Sequence, residues 1–260
     1  MNRSGAGGLG GGGHRRGLVL AAVAAALLLL VIAAAVHMRL SSGAGDDVPD
    51  SRPAADPAVN QPALPGSAAS PADSDVLAGG RAGWSQSCGV ELPESDRYGP
   101  HGFDGDRHYG FSPEPGGAVV AAAHLLVQVS PQVGPEVFWP TIREQVTGPD
   151  KQALADAVHA EYEQAVEAVH VPYGQPLCPI YARLVGYLID SHTPQATSLR
   201  MLAEGPGPDG APQLMALLVQ LSWIDGDWRL VAPPLGDWSR VSTLLAASAA
   251  DQYTSMVPGE

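Results

Sequence analysis

The sequence lacks the short motifs that mark common catalytic and nucleotide-binding sites. It contains no G-x-S-x-G, H-E-x-x-H, C-x-x-C or G-x-x-x-x-G-K pattern. It therefore gives no indication of an esterase, a zinc protease, a dithiol oxidoreductase or a P-loop nucleotidase. We expect a protein that is not an enzyme and that needs no cofactor.

Basic residues are scarce. Lysine occurs once, and the chain beyond residue 40 has ten basic residues against all 27 acidic ones, a net charge of −17. A surface of this charge repels phosphate backbones, so we expect no direct nucleic-acid partner. Few lysines beside many arginines, 31 glycines and 24 prolines are typical of a GC-rich bacterial genome.

One long hydrophobic run, Leu18–Val36, has nineteen residues without a charge, enough for a helix of about 28 Å across a bilayer. Arginines precede it and aspartates follow it, which predicts a cytoplasmic tail at 1–17 and an extracytoplasmic remainder. A cleaved signal peptide is the alternative, but the run exceeds a signal h-region and ends without a small-x-small site. We expect a single-pass membrane protein anchored in lipid by this run.

The segment 37–83 is rich in proline, alanine and aspartate and has little large apolar surface. Such a composition predicts a disordered linker that holds the remainder away from the membrane. Residues 84–111 contain aromatics and turn residues and predict an ordered but irregular lead-in packed on the domain. We place the folded domain at 112–240 and a tail at 241–260.

Within the domain, the hydrophobic period predicts three helices followed by a sheet. Helices are expected at about 113–129, 135–146 and 150–169, the first apolar on nearly all sides. The period then changes to two, and Asp225–Gly226 between two alternating runs predicts a tight hairpin. The fold class is therefore α+β, with three helices on a curved antiparallel sheet of about four strands.

This order of elements, together with the run W-I-D-G-D-W-R-L-V at 223–231, resembles the nuclear transport factor 2-like cone fold. With an N-terminal anchor, the chain is similar to the bitopic assembly factors of type IV secretion and conjugation machines. It also resembles anchored actinobacterial proteins that share the helix pattern of Gly117–Leu125 and the run Asp225–Pro234. The resemblance implies a scaffold that self-associates and recruits membrane or cell-envelope proteins.

Two groups of polar residues are candidate sites. His101, Asp104, Asp106 and His108 supply metal-ligand atoms within eight residues, but their spacing fits no zinc or calcium pattern, and a polar loop is the favoured interpretation. The cone implied by the resemblance gives a second group of candidate lining residues: His124, Tyr181, Tyr187 and Asp190. Core packing and a turn are the simpler interpretation of these four.

Two further sets of residues leave alternatives open. Trp223, Trp228 and Trp238 form either a protein-binding patch or ordinary core packing, with Trp223 and Trp228 able to pair across strands. Cys88 and Cys178 are the only cysteines, and they form either a disulfide, stable in an extracytoplasmic setting, or two unrelated thiols.

The sequence thus predicts a membrane-anchored extracytoplasmic scaffold or interaction module, a candidate component of a conjugation or secretion apparatus. The alternative function is a tethered small-ligand-binding protein or enzyme that uses the cone cavity. Self-association with a closed cavity favours the first; a deep pocket with a polar floor favours the second.

Overall fold

The computed structural model describes residues 82–257. The predicted anchor at 18–36 and all but the last two residues of the predicted linker lie outside this range. Within residues 82–257, no helix combines the length and the apolar character needed to cross a membrane.

Three α-helices follow one another closely along the described chain, each within two residues of its predicted ends. They are α1 (Pro115–Gln128), α2 (Pro135–Gln145) and α3 (Lys151–Val169). The first two begin with proline. Its fixed φ suits the first helical position, where a backbone N–H would have no acceptor within the helix. Apart from Pro115 and Leu126, every residue of α1 is buried. This explains why α1 is apolar on all sides.

The predicted sheet of about four antiparallel strands is wrong, because the main sheet has seven strands and is mixed. Its strands are β5 (Val146–Thr147), β6 (Arg183–His192), β7 (Ala196–Pro206), β8 (Pro212–Ile224), β9 (Asp227–Val231), β10 (Ser242–Leu245) and β11 (Thr254–Ser255). They are ordered β11-β6-β7-β8-β9-β5, and β10 pairs with the first half of β8. The pair β5–β9 is parallel and the other pairs are antiparallel.

The number of strands in the sheet was underestimated because the three additional strands are very short or lie outside the predicted domain. Strand β5 has two residues, too few to show a period of two. Strands β10 and β11 fall in the segment interpreted as a tail, yet they pair with β8 and β6 respectively.

The lead-in at 84–111, predicted to be ordered but irregular, contains regular strands. Two hairpins occupy this part of the chain: β1 (Ala82–Ser87) with β2 (Val90–Ser95), and β3 (Gly102–Asp104) with β4 (Arg107–Tyr109). The first hairpin packs Val90 and Leu92 into the main core. The second lies nearer the surface and is the basis of the candidate site.

The core lies between α1 and one face of the main sheet, and Trp228 packs within it with no exposed surface. Its indole N–H donates a 2.8 Å hydrogen bond to the carbonyl oxygen of Ser112, just before α1. The backbone of α1 passes so close to Ser112 that a Cβ at Gly117 would lie 2.1 Å from the same oxygen. Glycine is therefore required at this point of the helix.

Candidate interaction site

The second hairpin, residues 102–109, presents two aromatic side chains to solvent. Phe103 is 56% exposed and Tyr109 is 38% exposed. The hairpin has only three residues in each strand and a two-residue turn. A ribbon of this size is not stable by itself, so the rest of the domain must hold it in place.

Two buried glutamines hold the hairpin at the peptide groups of His108. The side-chain oxygen of Gln128, from α1, accepts a 2.7 Å hydrogen bond from the N–H of His108. The side-chain amide of Gln145, from the end of α2, donates a 2.9 Å bond to the carbonyl oxygen of His108. Gln128 has no exposed surface and Gln145 is 3% exposed. The backbone N–H and carbonyl groups of His108 are therefore hydrogen-bonded by side chains instead of by a neighbouring strand.

Asp227, the first residue of β9, fixes the chain as it leaves the hairpin. One of its carboxylate oxygens accepts a 2.8 Å bond from the N–H of Gly110, and the other accepts bonds of 2.9 Å from Phe111 and Trp228. The turn before β9 directs this carboxylate: Asp225 and Gly226 both have positive φ, at 53° and 82°. Positive φ at both central residues is typical of the tight hairpin that an Asp-Gly pair predicts.

His108 also reaches α1 through its side chain. Its Nδ1 lies 2.7 Å from Nδ1 of His124, and Nε2 of His124 lies 2.9 Å from the carbonyl oxygen of Pro93. Because a carbonyl oxygen only accepts, Nε2 of His124 carries its proton and Nδ1 of His124 is the acceptor. His108 therefore donates from Nδ1. The pair joins β4 to α1 by one directed hydrogen bond.

Burial disfavours the charged form of both imidazoles of this pair. Loss of hydration lowers the pKa of His124 to about 3, although its bond to Pro93 opposes the shift. Burial also lowers the pKa of His108, while the carboxylates of Glu94 and Asp106 act in the opposite direction. An uncharged pair is the state in which the single hydrogen bond between the two rings is favourable.

Arg107 anchors the hairpin on the opposite side. Its guanidinium forms ion pairs of 2.9 Å with Glu144 of α2 and 3.2 Å with Asp104 across the hairpin. It also lies 5.2 Å from the centre of the Tyr109 ring, within the range of a cation–π contact. Only 11% of the side chain is exposed. The arginine thus orients Tyr109 as well as the turn.

An open cleft of about 420 Å³ lies beside the hairpin. It separates β4 from the end of α2 and from the turn between β8 and β9. Its lining includes Arg107, Tyr109, Glu144, Asp225, Asp227 and Arg229. The cleft is therefore bordered by an aromatic ring, two guanidinium groups and three carboxylates.

The four metal-ligand candidates do not converge. His108 points inward to His124, Asp104 pairs with Arg107, and His101 and Asp106 are exposed. Within residues 82–257, no three histidine, cysteine or acidic side chains are placed to hold a metal ion. The favoured interpretation, a polar loop, has to be refined: the segment is a hairpin with one histidine built into the core.

The four candidate cavity-lining residues are not brought together. His124 is fully buried against the second hairpin, and Tyr187 is 2% exposed within the core. Tyr181 is 40% exposed just before β6. Asp190 forms a 3.0 Å ion pair with Arg200 on the sheet surface. These positions do not form the wall of a common pocket.

The three tryptophans are mainly packing residues. Trp223 and Trp228 are direct cross-strand partners with ring centres 5.2 Å apart in an edge-to-face arrangement, as the hairpin pattern predicts. Trp238 is partly buried and packs against the core. Because Trp228 is fully buried, it has no surface to offer a partner.

Cys88 and Cys178 form a disulfide that joins the turn of the first hairpin to the loop before β6. The two residues are 90 positions apart in sequence. The backbone N–H of Ile180 donates a 2.7 Å hydrogen bond to the carbonyl oxygen of Cys88, so the same two segments are also joined through the main chain.

Sequence reasoning missed Gln128, Gln145, Asp227 and Arg229, the residues that hold the hairpin and line its cleft. Of these four, Gln128 was the one detectable signal, since it is, with His124, one of two polar residues in an otherwise apolar helix, where a buried polar side chain needs a partner. The other three lie in ordinary polar positions, and only the fold brings them to the hairpin.

A family model described as a domain of unknown function, DUF8175, matches residues 45–255, which is most of the chain. No curated protein and no solved structure matches this chain.

Proposed function

We propose that this protein, which belongs to the DUF8175 family, is a membrane-tethered extracytoplasmic interaction module that binds a partner protein through its second hairpin. The observation that carries the proposal is the exposure of Phe103 and Tyr109, at 56% and 38%, on a hairpin whose backbone is fixed from three directions. Large aromatic side chains held in a fixed position are the groups that contribute most to protein interfaces.

The rigidity of the hairpin supports binding in a specific way. A partner that docks on a mobile loop must first order it, and this loss of entropy weakens the complex. Here Gln128, Gln145 and Asp227 order the backbone before any partner arrives, so the contact energy of the aromatic rings is retained. Arginine and tyrosine, which line the adjoining cleft, are also enriched at the energetic centres of interfaces.

The location is proposed from sequence. The hydrophobic run 18–36 and the proline-rich segment 37–83 support a tether that displays the domain outside the cytoplasmic membrane. A partner would then be a cell-envelope protein or a second copy of the chain. The same arrangement supports a place in an assembly such as a conjugation or secretion apparatus.

The test is site-specific photo-cross-linking in living cells with the full-length chain. A photoreactive phenylalanine analogue replaces Phe103 in one strain and Tyr173 in another. Tyr173 is the matched control because it is also 56% exposed, but lies in the loop after α3. We expect a discrete protein adduct from position 103 and none from position 173. Equal labelling from both positions, or none from either, would overturn the proposal.

A further inference from the structure

Arg229 is a largely buried arginine without a hydrogen bond. Its side chain is 23% exposed, and its Nε atom is buried with no partner in the described part of the chain. Among the described residues its ion-pair partner is Asp225, at 3.8 Å, whose own side chain is 83% exposed. A buried polar group left unsatisfied in this way requires an explanation, because leaving a charged donor without a partner is costly.

Apart from the solvated Asp225, the other charged groups that line the cleft have closer partners. The terminal nitrogens of Arg107 pair with Glu144 and Asp104, although its Nε atom is also buried without a hydrogen bond among the described residues. The carboxylate of Asp227 accepts three backbone N–H groups. Arg229 differs from Arg107 because, among the described residues, its terminal nitrogens have no ion-pair partner nearer than 3.8 Å, which leaves them free to bind a ligand. Its guanidinium lies beside an opening large enough to admit a side chain or a chain terminus.

We infer that the cleft binds a carboxylate group of a partner polypeptide, held by the guanidinium of Arg229 with the ring of Tyr109 as the adjoining wall. This inference rests on the proposed function and specifies the chemistry of the partner. The planar fork of an arginine matches a carboxylate in a bidentate manner and is easier to desolvate than an ammonium group. The carboxylate is supplied either by an acidic side chain or by a C-terminus.

The charges around Arg229 favour a single negative charge over a phosphate. Two guanidinium groups and the carboxylates of Glu144, Asp225 and Asp227 line the same cleft. Their charges sum to −1, so the net repulsion of a dianion is about twice that of a monoanion. Asp225 competes for the guanidinium at 3.8 Å. Removing its charge should strengthen carboxylate binding, and removing the guanidinium should abolish it.

The test follows the arginine Nε–H signals of the full-length chain by NMR. The probes are the α-amide of N-acetylaspartic acid, which has a side-chain carboxylate, and N-acetylglycine, which has a terminal one. The α-amide of N-acetylasparagine is the neutral control, and inorganic phosphate is the dianion. Arg229→Lys identifies the signal of Arg229, and Arg200, ion-paired on the sheet surface, supplies the control signal.

We expect at least one carboxylate probe to shift the Arg229 signal in a saturable manner and to leave that of Arg200 unchanged. Asp225→Asn should tighten this binding about two- to fivefold, the effect of removing an exposed like charge. Asparagine tolerates the positive φ at this position.

An unsaturable shift, an equal shift by the neutral control, or tighter binding of phosphate would overturn the inference. Phe103→Ser should leave the titration unchanged, so failure of the hairpin proposal is distinguishable from failure at Arg229.

Discussion

The Nδ1 atoms of His108 and His124 lie 2.7 Å apart, and this contact joins the exposed hairpin to the most buried helix of the domain. Its donor and acceptor are fixed by the bond from His124 to Pro93. The attachment is therefore sensitive to protonation of His124, since a proton on its Nδ1 would place two N–H groups against each other.

The histidine pair predicts that stability falls in mild acid. Burial lowers the pKa of both histidines in the folded protein, that of His124 to about 3. The unfolded chain therefore binds these protons first, and stability is lost as the pH falls below about 6.5, until the folded pKa is reached. We expect the free energy of unfolding to fall by about 2 kcal/mol from His124 between pH 7 and pH 5.

Urea unfolding at several pH values measures this loss. The double variant His108→Gln, His124→Gln is the comparison, because it removes both imidazoles of the pair and keeps the other ionisable side chains of the domain. A flatter pH profile in the variant is the expected result. Parallel profiles over pH 7 to 5 would show that the pair is not the source of the acid sensitivity.

The buried amide of Gln128 predicts a local effect on the hairpin. Gln128→Leu removes the acceptor for the N–H of His108 and leaves that group unsatisfied, which should destabilise the protein by about 1–3 kcal/mol. The exchange of the His108 amide hydrogen with solvent should accelerate more than that of amides in the core strands. Gln152→Leu is the control, since Gln152 is exposed on α3. Uniform acceleration throughout the domain would contradict a local role.

Much of the fold could be predicted from sequence, but little of the candidate site. The first helix is a continuous apolar run, the third has a periodic pattern, and all three have proline at or near their starts, while Asp225–Gly226 marks a turn by residue type alone. Strands such as β5 and β11 exist only because longer strands offer them an edge. In the same way, His108 and His124 are sixteen residues apart, and nothing in their spacing shows that their rings meet.

The disulfide predicts a large dependence of stability on oxidation. Cys88 and Cys178 close a loop of 90 residues, and loss of this constraint should lower the free energy of unfolding by about 4 kcal/mol in the chain-entropy description. Thermal unfolding with and without reductant, compared with the double variant Cys88→Ser, Cys178→Ser, measures the effect. Reductant should lower the melting temperature of the natural protein and leave that of the variant unchanged. Insensitivity of both would show that the bond contributes little.

The most direct test of the central claim is the affinity of the full-length chain for the partner identified by cross-linking. The dissociation constant is compared for the natural protein, Phe103→Ser and Tyr173→Ser, two changes that remove equally exposed aromatic rings. If the hairpin is the recognition element, Phe103→Ser weakens binding about tenfold or more and Tyr173→Ser leaves it unchanged. Equal affinities for all three proteins would contradict a recognition role for the hairpin.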